Sequence, residues 1–183
     1  MKNDQPQILT RRRLACLLGA AAVLGGPLAT AGSAAPALTL DEGTEPLPDT
    51  ALMTQSGQPL RLTQANAPAM LVNFWATWCA PCVVELPALE TAAVHLREQG
   101  IAVVLVNVDR GGAEVAQPFL DQRQINTPLS AYDPNGDWAR ALNLRGLPTT
   151  LLIKPGHNRY AFHTGPAEWA SPPVLDQVTD YLG

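Results

Sequence analysis

Cys79-Ala80-Pro81-Cys82 is the densest concentration of chemistry in this chain. Two thiols separated by two residues can share a disulfide, exchange it with another, or grip one metal ion. If the first thiol stands at a helix N-terminus, unpaired amide groups and the helix dipole favour its anion. The thiolate is the nucleophile of disulfide exchange, so Cys79 becomes the attacking sulfur. Cys82, one turn further in, becomes the resolving thiol that breaks a mixed disulfide. Pro81 suits a first helical turn, where a missing amide hydrogen costs nothing. Two quieter uses compete. A purely structural disulfide closing so short a loop contributes only about 2 kcal/mol on a chain-entropy estimate, against nearly 5 kcal/mol for a long one. A zinc half-site needs two further ligands, and His95, His157 and His163 show no paired spacing. Redox exchange is therefore the expectation, with no metal ion and no cofactor.

For the pair to act this way, a strand must end and a helix begin at Cys79. Residues 69–75 form a dense apolar run suited to a strand buried on both faces. Over 83–99 the spacing turns helical, with Leu86, Leu89, Ala93 and Leu96 on one stripe and Gly100 as the stop. Residues 101–108 are a second buried strand, and strand–helix–strand in this order implies a right-handed parallel crossover. A helix is predicted over 113–124, interrupted or bent at Pro118. A short strand near Leu129 and a turn at Asp133-Pro134-Asn135-Gly136 follow, then a helix over 137–142. Residues 149–153 and 159–164 read as an antiparallel hairpin turned at Pro155-Gly156, and 172–182 as the closing helix. Ahead of all these, 51–62 carries two short runs about Ser56-Gly57, an N-terminal hairpin. The sum is an α/β domain over 51–183, a mixed central sheet with helices on both faces.

The chain of 183 residues is long enough for one sizeable core, and 46% hydrophobic residues suit a globular protein. Its first 34 residues read as a signal peptide or signal anchor. Arg11, Arg12 and Arg13 precede an apolar run from Leu14 to Leu28, and small residues follow. That run, at about 15 residues, falls short of the roughly 20 that span a bilayer comfortably. Cleaved leader and uncleaved membrane tether both stay open, as do the general and twin-arginine export routes. Residues 35–50 hold Pro36, Pro46 and Pro48 among acidic residues without periodicity, which suits a solvated linker. Without the leader eight basic and fifteen acidic residues remain, a net charge of −7. With no basic stretch beyond the N-terminus, nucleic acid is not an expected partner. Cys16 sits early in the apolar run and would leave with a cleaved leader, so Cys79 and Cys82 would be the cysteines of a mature, periplasmic protein.

The segment Asn73-Phe74-Trp75-Ala76-Thr77-Trp78-Cys79-Ala80-Pro81-Cys82 resembles the active-site segment of the thioredoxin superfamily, and within it the TlpA-like group. That group carries a glutamate three residues after the second cysteine and a proline two further on, where this chain has Glu85 and Pro87. The resemblance extends from about Pro46 to Gly183. It implies a thioredoxin-like fold, with a further strand and helix inserted between the second buried strand and Pro148. Gly146-Leu147-Pro148-Thr149-Thr150 resembles the superfamily's cis-proline loop, which faces the cysteine pair. By that resemblance the main chain of Leu147 would pair with an extended substrate segment, and Trp78, Ala80, Pro81 and Pro148 would complete the substrate-binding surface. Without it, Pro148 would be an ordinary strand-initiating proline.

Glu85 lies one turn beyond Cys82. On the buried stripe, its carboxyl would be desolvated and pushed up, able to pass a proton to or from Cys82. On the solvent face, it would be an ordinary surface glutamate. Trp75 and Trp78 suit packing and rim positions, and His95 the solvent side of the helix. The resemblance implies a thiol–disulfide oxidoreductase working outside the bacterial cytoplasm. Its dithiol would reduce disulfides in exported proteins, such as the haem-binding cysteines of apocytochromes c or copper-site proteins. Electrons would come from a membrane thiol-transporting reductase. A general thiol oxidase or isomerase would share the motif at a higher potential. A non-enzymatic copper metallochaperone of similar fold would space its cysteines differently and add a histidine. Lys154-Pro155-Gly156 departs from the group, whose members often carry an acidic residue before a glycine turn there.

Overall fold

The computed structural model describes residues 37–64, 69–156 and 159–183. The expected leader, 1–34 with Cys16, lies outside them, as does His157. Among the described residues the strands are β1 (Asp41–Glu42), β2 (Leu52–Met53), β3 (Pro59–Leu60), β4 (Ala69–Trp75), β5 (Ile101–Asn107), β6 (Leu129–Tyr132), β7 (Thr149–Ile153) and β8 (Tyr160–Thr164). They form one sheet in the order β1-β8-β7-β4-β5-β6-β2-β3. The helices are α1 (Ala80–Glu98), α2 (Ala113–Gln122), α3 (Asp137–Ala141) and α4 (Pro172–Leu182). β4, β5 and β6 run parallel, while β7 is antiparallel to β4 and β8 to β7. The sheet is therefore mixed, as expected.

Every residue of β4 is buried because both of its faces are covered. Alternation sorts its side chains. Ala69, Leu71 and Trp75 join the core built with α1, α2 and α4, while Met70, Val72 and Phe74 join the core of Trp138 from α3 and Leu52 from the β2–β3 hairpin. Asn73 has the parity of Leu71 and Trp75, so its amide points toward α1. The buried stripe of α1 holds Cys82, Glu85, Leu86, Leu89, Ala92, Ala93 and Leu96, each apolar member contributing up to about 1.5–3 kcal/mol for the larger side chains. Gly100, at φ 75°, takes the left-handed conformation that ends the helix and donates to the Arg97 carbonyl (3.1 Å).

Two expectations change. α2 runs unbroken through Pro118, as α1 does through Pro87. A single proline removes one amide bond, and packing against the sheet carries the rest of the helix. The stretch read as a solvated linker, 35–50, is in part docked. Leu38 is buried, and its amide and carbonyl are both bonded by the Gln177 side chain of α4 (2.8 and 2.9 Å). Asp41 and Glu42 then pair with Phe162 and Ala161 of β8. A two-residue edge strand and one buried leucine are too short to leave a period in the sequence.

Candidate functional site

Cys79 and Cys82 are joined by a disulfide at the point where β4 gives way to α1, with their Cα atoms 5.3 Å apart. Cys79 is the N-cap of α1, in extended conformation, and its carbonyl accepts the first helical bond from Val83 (3.0 Å). Its sulfur accepts from the Cys82 amide at 3.3 Å, the position where a capping oxygen would sit. That amide is one of the unpaired donors of the first turn, so negative charge on Cys79 finds a donor already aimed at it. Ala80 and Pro81 fill the next two positions, both exposed, and the missing hydrogen of Pro81 falls where no intrahelical acceptor exists. Cys79 retains 6% of its surface and Cys82 none, so only the first sulfur can be reached from outside. Trp78, 70% exposed, and Val84, 80% exposed, flank the pair.

The turn leading into Cys79 is pinned from the end of β5. Asp109, buried, accepts from the Thr77 amide (2.9 Å) and the Thr77 hydroxyl (3.2 Å). Asn107 fixes Asp109 in return, its amide donating to Oδ2 at 2.7 Å. Val108 closes the same corner by donating to the Trp75 carbonyl (3.0 Å). Opposite, the Leu147–Pro148 peptide is cis, as the family resemblance implied. Pro148 is buried, Leu147 is half-buried, and the Pro148 carbonyl accepts from Gly165 at 2.9 Å.

Glu85 lies on the buried stripe and not on the solvent face, with 4% of its surface exposed. Residues three apart on a helix have Cβ atoms about 5–6 Å apart, so Glu85 and Cys82 are neighbours on the same buried stripe. Its two oxygens are divided between separate parts of the chain. Oε1 accepts from Asn73 Nδ2 of β4 (2.8 Å). Oε2 accepts from the Trp169 indole (2.9 Å) and the Ala167 amide (3.1 Å), both in the segment before α4. Asn73 Nδ2 also donates to the Thr150 hydroxyl of β7 (2.9 Å), while Asn73 Oδ1 is buried without a partner among the described residues. Burial pushes the Glu85 carboxyl above its ordinary value. The bonds from Trp169, Asn73 and Ala167 and the charge of His163 pull it part of the way back.

The structure thus brings Cys79, Cys82, Glu85, Trp78, Ala80, Pro81, Leu147 and Pro148 to one end of the sheet or to the helix that starts there. His95 faces solvent near the far end of α1, bonded to Gln99 (2.9 Å). Sequence reasoning missed Asn73, Thr150, Asp109, Ala167 and Trp169, which position Glu85 and the turn before Cys79 through tertiary contacts. It also gave His163 no place, although His163 acts on Glu85 through charge. A shallow pocket of about 560 Å³ opens beside the carboxyl, between Val84, Glu85 and Ala88 of α1 and Pro166, Ala167 and Glu168. A larger one of about 740 Å³, at β1 and residues 142–145, includes neither cysteine, so size alone does not mark the site.

Residues 43–160 match the AhpC/TSA family. Thiol-disulfide oxidoreductase ResA of Oceanobacillus iheyensis is 32% identical over 96 residues, covering 52% of this chain and 49% of the relative. ResA of Bacillus subtilis is 31% identical over 118 residues, 64% of each chain. The chain spans about half to two-thirds of the length of these curated relatives. A crystal structure from Chlorobium tepidum, described as a thiol:disulfide interchange protein DsbE, aligns with a TM-score of 0.65 at 29% identity, covering 79% of this chain and 100% of that one. The fold is thioredoxin-like. The family match runs across both cysteines, the buried glutamate and the cis-proline, and this chain belongs to the AhpC/TSA family.

Proposed function

We propose that this protein is an extracytoplasmic thiol–disulfide oxidoreductase that reduces disulfides in exported proteins. The observation that carries the reading is a Cys79–Cys82 disulfide capping α1, with one sulfur reachable and a buried carboxyl one turn away. In the dithiol form, the Cys79 thiolate attacks one sulfur of a substrate disulfide. That bond breaks, the first substrate thiolate leaves, and a mixed disulfide joins Cys79 to the substrate. Cys82 then gives its proton to the Glu85 carboxylate and attacks Cys79 Sγ. The mixed disulfide breaks, the second substrate thiolate leaves, and the Cys79–Cys82 disulfide is restored. Two electrons have passed to the substrate, and an external dithiol must return them. A membrane thiol-transporting reductase is the donor class we assign.

Trp78, Ala80, Pro81, Leu147 and Pro148 form the surface on which a substrate segment rests, with the Leu147 main chain as its strand-like partner. Residues 1–34 act as the export leader or anchor and set a periplasmic location, and 51–183 form the core of the domain. No helix among the described residues is long and apolar enough to cross a membrane. Apocytochromes c and copper-site proteins, whose cysteines must be reduced to bind their groups, are the substrate classes proposed.

The test is redox equilibration with glutathione together with a Cys82→Ala trap. The potential is expected on the order of −270 mV or somewhat above, well below the roughly −120 mV of a strong oxidant. Cys82→Ala is expected to accumulate a mixed disulfide with its substrates through Cys79. A pair that stays mostly dithiol under oxidising glutathione ratios would sink the reductant reading in favour of an oxidase.

A further inference from the structure

The mechanism above gives His163 no task, yet the sheet sets it in line with the glutamate's support. Strand register pairs Asn73 of β4 with Thr150 of β7, and Thr150 with His163 of β8. Residues directly opposite one another in antiparallel strands share a face, so all three lie on the face that α1 covers. Asn73 bonds Glu85, and Thr150 bonds Asn73. His163 reaches the carboxyl by a second route. Its ring meets the Trp169 indole edge-on, with centroids 6.1 Å apart and planes at 83°. That same indole donates to Glu85 Oε2 at 2.9 Å.

The other side of the histidine is fixed as well. Nδ1 lies 3.1 Å from the Thr39 carbonyl oxygen, which can only accept, so Nδ1 carries a hydrogen. Thr39 follows Leu38, which Gln177 grips at both amide and carbonyl, and precedes the β1 pairing with β8. Nε2 is buried and has no hydrogen-bond partner among the described residues.

We propose that His163, wedged between the Thr39 carbonyl and Trp169, is a positioning residue for Glu85: it holds the indole that holds the carboxylate. This rests on Glu85 being the proton acceptor of Cys82. The other ionisable groups on the surrounding elements are mostly acidic, and the basic ones, His95 and Arg97, sit in the last turn of α1. They are Asp41 and Glu42 on β1, Tyr160 on β8, Glu168 in the segment before α4, Asp176, Asp180 and Tyr181 on α4, and Glu90, His95, Arg97 and Glu98 further along α1; Glu42 takes the Tyr181 hydroxyl (3.3 Å). The charge that acts on the Glu85 carboxyl through space comes from His163, and it favours the ionised form.

The experiment compares the parent with His163→Gln by carbon NMR titration of labelled glutamate side chains in the oxidised protein, and compares both with Glu85→Gln in the resolution step. Glutamine can still donate to the Thr39 carbonyl, so a purely structural role survives the substitution. In His163→Gln the Glu85 midpoint is expected to rise by a few tenths to about one pH unit. Resolution of a mixed disulfide trapped on Cys79 should slow by up to about tenfold at a pH below the new Glu85 midpoint and recover above it. Coincident midpoints in variant and parent overturn the proposal, as does a His163→Gln pH profile that stays in place while Glu85→Gln resolves slowly. Parental resolution in Glu85→Gln is a different failure, because it removes the glutamate's role itself and the proposal with it.

Discussion

Replacing Glu85 by alanine and by glutamine separates what its charge costs from what its hydrogen bonds hold. Alanine strips Trp169 Nε1 and the Ala167 amide of the oxygen they share and leaves Asn73 Nδ2 with Thr150 alone. A buried donor that loses its partner costs about 1–3 kcal/mol, so the two stripped donors amount to about 2–6 kcal/mol. Glutamine keeps an oxygen for Trp169 and Ala167 but turns its NH₂ group toward Asn73 Nδ2, donor against donor. A half-turn of the Asn73 amide resolves the conflict. Oδ1, without a partner in the parent, then accepts from the glutamine and from the Thr150 hydroxyl. The cost falls to about 1–3 kcal/mol for one stripped Nδ2, offset by the loss of a desolvated charge. The pH dependence then fixes the sign. Burial raises the folded-state value of the parent carboxyl above its ordinary 4.5. Its contribution to stability is therefore present below about pH 4.5 and is lost as pH rises through the raised value. Glutamine suffers no such loss. Urea unfolding of the oxidised proteins between about pH 4 and about pH 8 should show the glutamine variant gaining on the parent as pH rises. A difference that stays flat, or moves the other way, refutes the claim that burial dominates at Glu85.

In the reduced protein Cys79 should react with iodoacetamide far faster than Cys82, because only Cys79 keeps accessible surface; mass spectrometry showing Cys82 alkylated first in folded protein would reverse their roles. Asp109→Ala removes the acceptor for the Thr77 amide and hydroxyl, and it should lower stability by about 1–3 kcal/mol in denaturant unfolding and slow reaction at Cys79. Trp78→Ala should change stability by less than about 0.5 kcal/mol, since the ring is 70% exposed. The same variant should raise KM for a protein disulfide while leaving turnover of a small disulfide such as oxidised glutathione near the parent's, which steady-state kinetics on both substrates would check.

The elements legible in the sequence are those whose signal is local and repeated. Residues 69–75 could be read as a buried strand because the run is densely apolar, and 172–182 as a helix because its apolar spacing is unbroken. The cysteine pair was legible for the same reason, since strand, motif and helix are contiguous. β1 left no such signal. Two paired residues and one buried leucine do not make a period, and an acidic, proline-bearing stretch is compatible with solvent until the Gln177 amide and β8 capture it. Propensity also allowed an interruption at Pro118 that the helix does not show, because its continuity is decided by packing and not by the residue's own preference.

The support of Glu85 shows where local reading stops. That the glutamate falls on a buried stripe follows from counting along one helix. Its partners come from β4, β7 and the segment before α4, and only sheet register brings them together. Part of that register was within reach. A hairpin turned at Pro155-Gly156 sets Ile153 against Tyr160, and counting back three residues on one side and forward three on the other sets Thr150 against His163. The pairing of Asn73 with Thr150 is different, because 77 residues and several elements separate the two strands. No turn transmits register across that distance. It is fixed by which faces of β4 and β7 are buried, and a slip of one residue would turn Asn73 away from α1 and Phe74 toward it. The acceptor pattern of the carboxyl is thus a tertiary consequence of hydrophobic alternation in two distant strands. The residue was visible in the sequence, and the environment that holds its carboxyl was not.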